Sequence, residues 1–435
     1  MAAPTRQPEE MHEMSRPGQN PTVHATFRHF PMNAWYAAAW DYEVGRNLLS
    51  KTIGNRPIVF YRTTGGRAVA LADACWHRLA PLSMGKLRGD DEIMCGYHGI
   101  CYDADGRATF MPAQDTINPS ATVHSYPVVE RHRYVWVWLG DPALADPDLV
   151  PDLHMNDSPD WAGDGKTIRV NCSYQLIVDN LMDLTHEQFV HGSSIGHDAL
   201  SESDFEVTHT DRTVTVTKWM LGIEPPPFWK RNLQDRYPDY EGLVDRWQII
   251  RYTAPSTIAI DVGVAKAGTG APEGDRSQGV TGTVINTMTP ETDTTCFYLW
   301  AFARDWCLDK QVITTRLREG VSGVFFEDEV MLEAQQRGIE ANPDYDFYNL
   351  NIDAGSMWTR RIVQRMIESE LGTDAEAASP AAGNAAAAMS AVTGAANAAH
   401  EANGSGGGSG QAAEVAEGVA MHRDEPTAGL MGRGL

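Results

Sequence analysis

Cys75-Trp76-His77-Arg78 and Cys95-Gly96-Tyr97-His98-Gly99 are the stretches on which the reading of this chain turns. They spell C-x-H and C-x2-H, with seventeen residues between His77 and Cys95. Two thiolates and two imidazoles suit either a structural zinc ion or an iron–sulfur cluster. A zinc site usually draws its cysteines from one short loop and its histidines from another. Here each loop holds one of each, so both cysteines can share one iron while the histidine in each loop reaches a second.

That division of ligands is the Rieske [2Fe–2S] arrangement, with Cys75, His77, Cys95 and His98 as the expected ligands. Respiratory Rieske proteins staple the two loops with an extra disulfide, one of whose cysteines would stand where Tyr97 stands. No cysteine follows His77 in the first loop, and Cys101 has no partner there. In this the chain resembles the oxygenase type.

At 435 residues and 42% hydrophobic content, the chain is long enough for two domains with their own cores. Cys75, Cys95, Cys101, Cys172, Cys296 and Cys307 form no disulfide framework, which fits a reducing cytoplasm. No basic-then-apolar leader and no run near the roughly eighteen apolar residues of a membrane span is present, so no membrane is expected. A formal charge of −23 argues against nucleic acid or an anionic membrane as partner.

Residues 1–28 mix Pro, Glu, Gln and Arg and are expected to form a disordered arm. From 29 to 145 the pattern is short strands: Asn33 to Ala38, a hairpin of Pro57 to Tyr61 and Arg67 to Ala72 turning at Thr64-Gly65-Gly66, and Val135 to Leu139. Metal loops at the tips of such strands predict a small β-sandwich. Residues 146–371 alternate strands and helices, with strands expected at Thr213 to Trp219, Arg246 to Tyr252, Thr257 to Val264 and Cys296 to Arg304. Ala265 to Gly279 reads as a loop, and a long helix is expected from Asp309 to Gly338. Residues 372–435 collapse to Ala, Gly, Ser and Asn, a low-complexity tail. The fold class is α+β.

A second metal site is written in Asn180-Leu-Met-Asp183-Leu-Thr-His186-Glu-Gln-Phe-Val-His191. Spacing by three stacks Asn180, Asp183 and His186 along one helix face. His191 lies five residues past His186, so the helix must bend or end before it. Two histidines suit Fe(II) or Zn(II), and one added carboxylate makes the facial triad of oxygen-activating iron. His186-Glu187 mimics the start of a zinc-protease H-E-x-x-H, but the spacing to His191 is one residue too long. Asp183, one turn before His186, is placed for its carboxylate to accept that imidazole's free N–H.

With C-x-H-x17-C-x2-H upstream of N-L-M-D-L-T-H-x4-H, the chain resembles the oxygenase component of the Rieske non-haem iron oxygenases. Further agreement lies in Pro226-Pro227-Phe228-Trp229, Val244-Asp245-Arg246-Trp247-Gln248 and Asn351-Ile352-Asp353-Ala354-Gly355. It narrows the resemblance to the aromatic O-demethylases, such as the vanillate O-demethylase oxygenases. The resemblance covers about residues 30–368 and implies a Rieske β-sandwich followed by a helix-grip, START-like catalytic domain. It implies a [2Fe–2S] cluster on the four ligands above and a mononuclear iron on His186, His191 and Asp328. The last is taken from the acidic run Glu327-Asp328-Glu329. Asn180 would sit beside the iron. Asp183 would bridge His186 to His98 of a neighbouring subunit in a homotrimer. The implied reaction removes a methyl group from a methoxylated aromatic acid with O2.

This chain shows neither a Gly-rich dinucleotide fingerprint nor a plant-type ferredoxin C-x4-C-x2-C. Electrons from NADH must therefore arrive through a separate ferredoxin or flavin reductase. Asp261 and Asn286 are candidates for contacting ring substituents, ordinary strand packing being the competing reading for each. Other functions compatible with the residues are oxidation of a different arene, a Rieske electron carrier fused to a ligand-binding domain, and a zinc-stabilised interaction protein.

Overall fold

The computed structural model describes residues 30–377, apart from 90, 113, 193, 194, 196–202 and 346. The expected arm (1–28) and all but the first residues of the expected tail lie outside the described residues. Residues 372–377 continue the last helix, past the expected boundary at 371.

The first unit is built from β1 (Trp35–Trp40), β2 (Leu49–Ile53), β3 (Arg56–Arg62), β4 (Ala68–Ala72), β5 (Lys86–Arg88), β6 (Glu92–Met94), β7 (Cys101–Tyr102), β8 (Ala108–Phe110), β9 (Ser125–Tyr126), β10 (Val128–Arg131) and β11 (Tyr134–Trp138). They pair in three sheets, ordered β1-β11-β10, β2-β3-β4-β9 and β5-β6-β7-β8. β3 and β4 are the expected hairpin, with Ile58 opposite Ala72 and Arg62 opposite Ala68. The short β5–β8 sheet is a separate tip. It carries one metal loop between β6 and β7, while the other loop follows β4.

The second unit is a seven-stranded antiparallel sheet: β12 (Ala162–Val170), β13 (Phe205–His209), β14 (Thr213–Ile223), β15 (Val244–Thr253), β16 (Thr257–Lys266), β17 (Gly279–Pro290) and β18 (Cys296–Arg304). Their order is β12-β18-β17-β16-β15-β14-β13, so every neighbouring pair but β12-β18 is consecutive in the chain, β14 and β15 being linked through the helix Pro227–Arg236. A long helix, Gln311–Ala341, packs against β12 and β18 of this sheet. Its buried stripe is Ile313, Leu317, Val321, Phe325, Asp328 and Leu332, at the three- and four-residue spacing of one helix face. A carboxylate in an apolar stripe is costly unless something holds it, which singles out Asp328 before any partner is considered.

Among the described residues four further helices belong to the unit, including Pro227–Arg236 and the single turn Glu187–Val190. Tyr174–Met182 carries the second metal motif, and Ala354–Ala377 packs across it through a bidentate Arg360–Asp179 ion pair. The two units share a layer of indoles. Trp35, Trp40, Trp136 and Trp138 form one buried cluster with Ile285, Leu299 and Ala301 of the large sheet. At the same seam the Thr289 hydroxyl donates to the Ala37 carbonyl at 2.7 Å. No helix among the described residues is long and apolar enough to cross a membrane.

Candidate metal centres

The first centre is one turn made twice. The Cys75 N–H donates to the Ala80 carbonyl at 2.9 Å, and the Leu79 N–H returns to the Cys75 carbonyl at 2.8 Å. Likewise the Cys95 N–H donates to Ile100 at 2.8 Å, and the Gly99 N–H returns to Cys95 at 3.0 Å. The fifth residue of each turn is left-handed, with φ +57° at Leu79 and +77° at Gly99. Glycine takes that conformation freely and leucine does not, so the first loop holds Leu79 against its preference.

Both sulfurs lie inside, Cys75 and Cys95 each being 2% exposed, whereas His77 and His98 stand at the surface. The two imidazole rings meet edge to face with centroids 4.7 Å apart. The loops are braced from beneath by Asp73, which accepts from the Ser83 N–H at 2.7 Å and from the Ser50 hydroxyl at 2.7 Å. The Tyr102 hydroxyl lies 3.1 Å from the Cys75 sulfur and accepts the Trp76 N–H at 3.1 Å. Burial pushes the Tyr102 hydroxyl far up, and the neighbouring sulfur adds to this, so it stays a donor. Two buried thiols beneath two paired surface imidazoles fit a cluster with one inner and one outer iron.

At the second centre the backbone departs from the expected helix face. The Tyr174–Met182 helix stops one residue before Asp183, whose backbone is extended at φ −130°, ψ 106°. The Asp183 carboxylate then caps a 3-10 turn, Leu184–His186, accepting from the Thr185 N–H at 3.0 Å and the Thr185 hydroxyl at 2.7 Å. Asp183 does reach His186, but through its main chain: the His186 Nδ1–H donates to the Asp183 carbonyl at 2.7 Å. The expectation of a carboxylate–imidazole bond within this chain is corrected accordingly. The helix ends at Asp183 because an aspartate there serves the next turn as an N-cap.

These breaks bring the ligands together. His186 Nε2 lies 3.5 Å, and His191 Nε2 3.1 Å, from Asp328 Oδ1, and the three donor atoms fall within 4.8 Å of one another. His191 Nδ1 is taken by the Glu327 carboxylate at 2.6 Å. Both rings therefore spend Nδ1–H on an oxygen of this chain and present Nε2 to a common point, which fixes their tautomers for an ion. Burial works against charge on His191, but the Asp328 and Glu327 carboxylates outweigh it and raise its pKa. The Asn180 amide donates to Asp328 Oδ1 at 3.3 Å and steadies the carboxylate. Among the described residues this trio is the group able to hold an ion at such range. Two imidazoles and one carboxylate suit iron with positions left open.

A cavity opens on these three residues. Its walls are apolar, with Phe228, Trp229, Phe302 and Phe325 among them, and its polar members away from the trio are Glu187, Arg246 and Gln248. The lining, aromatic and aliphatic with a few convergent polar groups, is that of a site for a small aromatic ligand.

Asp261 and Asn286 do not line it. Successive strand residues face opposite ways, so Ile260 and Val262 face the cavity while Asp261 points to the other side of the sheet. There it accepts from Trp247 Nε1 at 2.9 Å and Arg276 Nη1 at 2.8 Å. Asn286 is fully buried beyond Val284, donating to the Ile258 carbonyl at 3.1 Å and accepting from the Tyr298 hydroxyl at 2.6 Å. Both are strand-packing residues. Glu327, Glu187, Arg246 and Gln248 were missed. The signal for the last two was legible, because strand alternation puts residues 246 and 248 of Arg246-Trp247-Gln248 on one face.

Residues 34–127 match the Rieske [2Fe–2S] domain family, and residues 170–369 match the vanillate O-demethylase oxygenase C-terminal domain. A vanillate O-demethylase oxygenase subunit from Pseudomonas sp. is 43% identical over 325 residues, 74% of this chain and 98% of that protein. The chain belongs to the Rieske non-haem iron oxygenases. A toluene-4-sulfonate monooxygenase iron–sulfur subunit from Comamonas testosteroni is also similar to this Rieske oxygenase, 38% identical across 80% of the chain and 99% of the relative. The crystal structure of dicamba monooxygenase bound to dicamba matches with a TM-score of 0.70 at 33% identity, covering 78% of this chain and 98% of that one. Another structure of the same enzyme, with non-haem iron and dicamba, gives 0.69 at 31% identity, over 80% of this chain and 100% of that one. This Rieske oxygenase is accordingly an oxidoreductase with two cofactors, a Rieske [2Fe–2S] cluster and a mononuclear non-haem iron.

Proposed function

We propose that this Rieske oxygenase O-demethylates a methoxylated aromatic acid such as vanillate. The observation that carries the reading is the apolar, aromatic-walled cavity ending on His186, His191 and Asp328. A flat ring fits such walls, and its methoxyl group can reach the metal end. Cys75, His77, Cys95 and His98 hold the cluster, and His186, His191 and Asp328 hold the iron, which supplies O2 activation. One oxygen atom of O2 enters the methyl C–H bond and the other leaves as water. The two electrons required come from NADH through a separate reductase. The resulting hemiacetal breaks its C–O bond to give the phenol and formaldehyde.

The working unit is a homotrimer in which His98 of one chain meets Asp183 of the next. Two features support this. His98 stands at the surface, and the half-buried Asp183 carboxylate, engaged only on the Thr185 side in the described contacts, has lone pairs for a second donor.

Turnover of a methoxybenzoate panel with a surrogate NADH reductase tests the reaction. Formaldehyde is expected in proportion to NADH consumed, and methanol in its place would mean hydrolysis and defeat the reading. A second reading, oxidation of another substituted arene, is favoured by the toluene-4-sulfonate relative, which is about as completely covered. NADH use with ring-methyl substrates but not with methoxyl ones would select it.

A further inference from the structure

The cavity contains one buried cation whose hydrogen bonding is incomplete. Arg246 is 2% exposed and, among the described residues lining the cavity, is the only lysine or arginine. Its Nη2 donates to Glu187 Oε2 at 3.0 Å, and its Nη1 reaches the Ile195 carbonyl at 3.4 Å. Among the described residues its buried Nε has no hydrogen-bond partner. The other Glu187 oxygen accepts from Gln248 Nε2 at 2.8 Å. Glu187 is thus held at both oxygens and is 5% exposed.

Burying a guanidinium is costly even when paired, and leaving one of its N–H groups without an acceptor adds to the cost. An apolar side chain would line the wall more cheaply. The arrangement makes sense if the remaining donor edge is kept for a ligand. A guanidinium presents donors in a flat fork that matches a carboxylate. Here the fork is set in orientation by Glu187, which directly follows His186 in the chain, so the anchor and the metal end share one short segment.

We infer that Arg246 binds the anionic substituent of the aromatic substrate, with Glu187 and Gln248 as positioning residues. The inference rests on the aromatic-acid reading of the cavity. It orients the substrate: the acid group is held on Arg246, the ring lies between the aromatic walls, and the methoxyl group is turned to the metal ligands.

The test compares 4-methoxybenzoate with its neutral analogue 4-methoxybenzamide, titrated calorimetrically into holoenzyme without reductant. Wild type is expected to prefer the carboxylate. Arg246→Gln should weaken 4-methoxybenzoate by about tenfold or more, the loss of one charged hydrogen bond, while the amide changes little. Because Arg246→Gln strands Glu187, the paired variant Arg246→Gln with Glu187→Gln, which leaves no buried charge, is measured beside it. It should show the same loss of preference with cluster spectrum and iron content intact. Equal loss of both ligands, or a preference that survives in both variants, would overturn the assignment of Arg246 alone. If wild type binds neither ligand, or favours the amide, the aromatic-acid reading fails and the inference falls with it.

Discussion

His186 is held by the main chain of Asp183 and not by its side chain: the imidazole Nδ1–H meets the carbonyl at 2.7 Å, and the carboxylate turns to Thr185. The two functions of Asp183 are therefore separable by mutation. Asp183→Asn keeps the carbonyl and an oxygen for the Thr185 N–H, so both metals should be retained. If the carboxylate accepts from His98 of a neighbouring subunit, cluster-to-iron electron transfer should slow by an order of magnitude or more. Stopped-flow single turnover of pre-reduced enzyme with bound substrate measures it. Cluster reoxidation at the wild-type rate would remove the bridge, and a monomer by light scattering would remove the interface.

Asp328 is the carboxylate common to both histidines, and Glu329 is not among the three grouped ligands. Asp328→Ala should lower iron per chain from about three to about two while the visible spectrum of the cluster persists. Turnover should cease. Glu329→Ala should do neither; loss of the third iron there would transfer the ligand role to Glu329.

Glu327 acts through His191, whose Nδ1–H it accepts at 2.6 Å. Releasing that ring should weaken iron binding about 10- to 100-fold in Glu327→Ala. Glu327→Gln, which still offers an oxygen, should fall between. An Fe(II) titration of the metal-free second site reads the difference directly, and unchanged affinity in both variants would leave Glu327 a surface residue.

The Tyr102 hydroxyl lies 3.1 Å from the sulfur of Cys75, burial keeps it protonated, and toward a deprotonated cluster sulfur it is the donor. A hydrogen bond to a cluster sulfur stabilises the reduced, more negative state. Tyr102→Phe should therefore lower the reduction potential with the four ligands in place. Protein-film voltammetry showing a potential equal to or above wild type would contradict this.

The cluster was legible in the sequence because its four ligands lie in two short loops, where spacing alone restricts the geometry. The hairpin of Arg56–Arg62 and Ala68–Ala72, the strand Cys296–Arg304 and the long helix were legible by their periodicity. β17 was not. Gly279–Pro290 is buried on both faces, so it shows no alternation, and its first residue, Gly279, closes the expected loop. Gly282 is there for packing, since a Cβ would lie 2.5 Å from the Phe302 ring. At the second centre, the ligand types were legible but the backbone was not. Three-residue spacing suggested a continuous helix, and nothing in the letters announces that a carbonyl, an atom every residue has, will serve as the partner of His186. The Glu187–Arg246 pair joins residues from distant segments, and only the folded sheet brings them together.

The shared layer of indoles has a mechanical meaning. Trp35, Trp40, Trp136 and Trp138 close the core of the first unit and cover the back of the large sheet in one buried cluster. Neither unit can swing without prising that layer open and wetting four of the largest side chains in the molecule. Within a single chain the cluster and the iron are fixed points on one stiff frame. A hinge that brought them together would first have to open that layer.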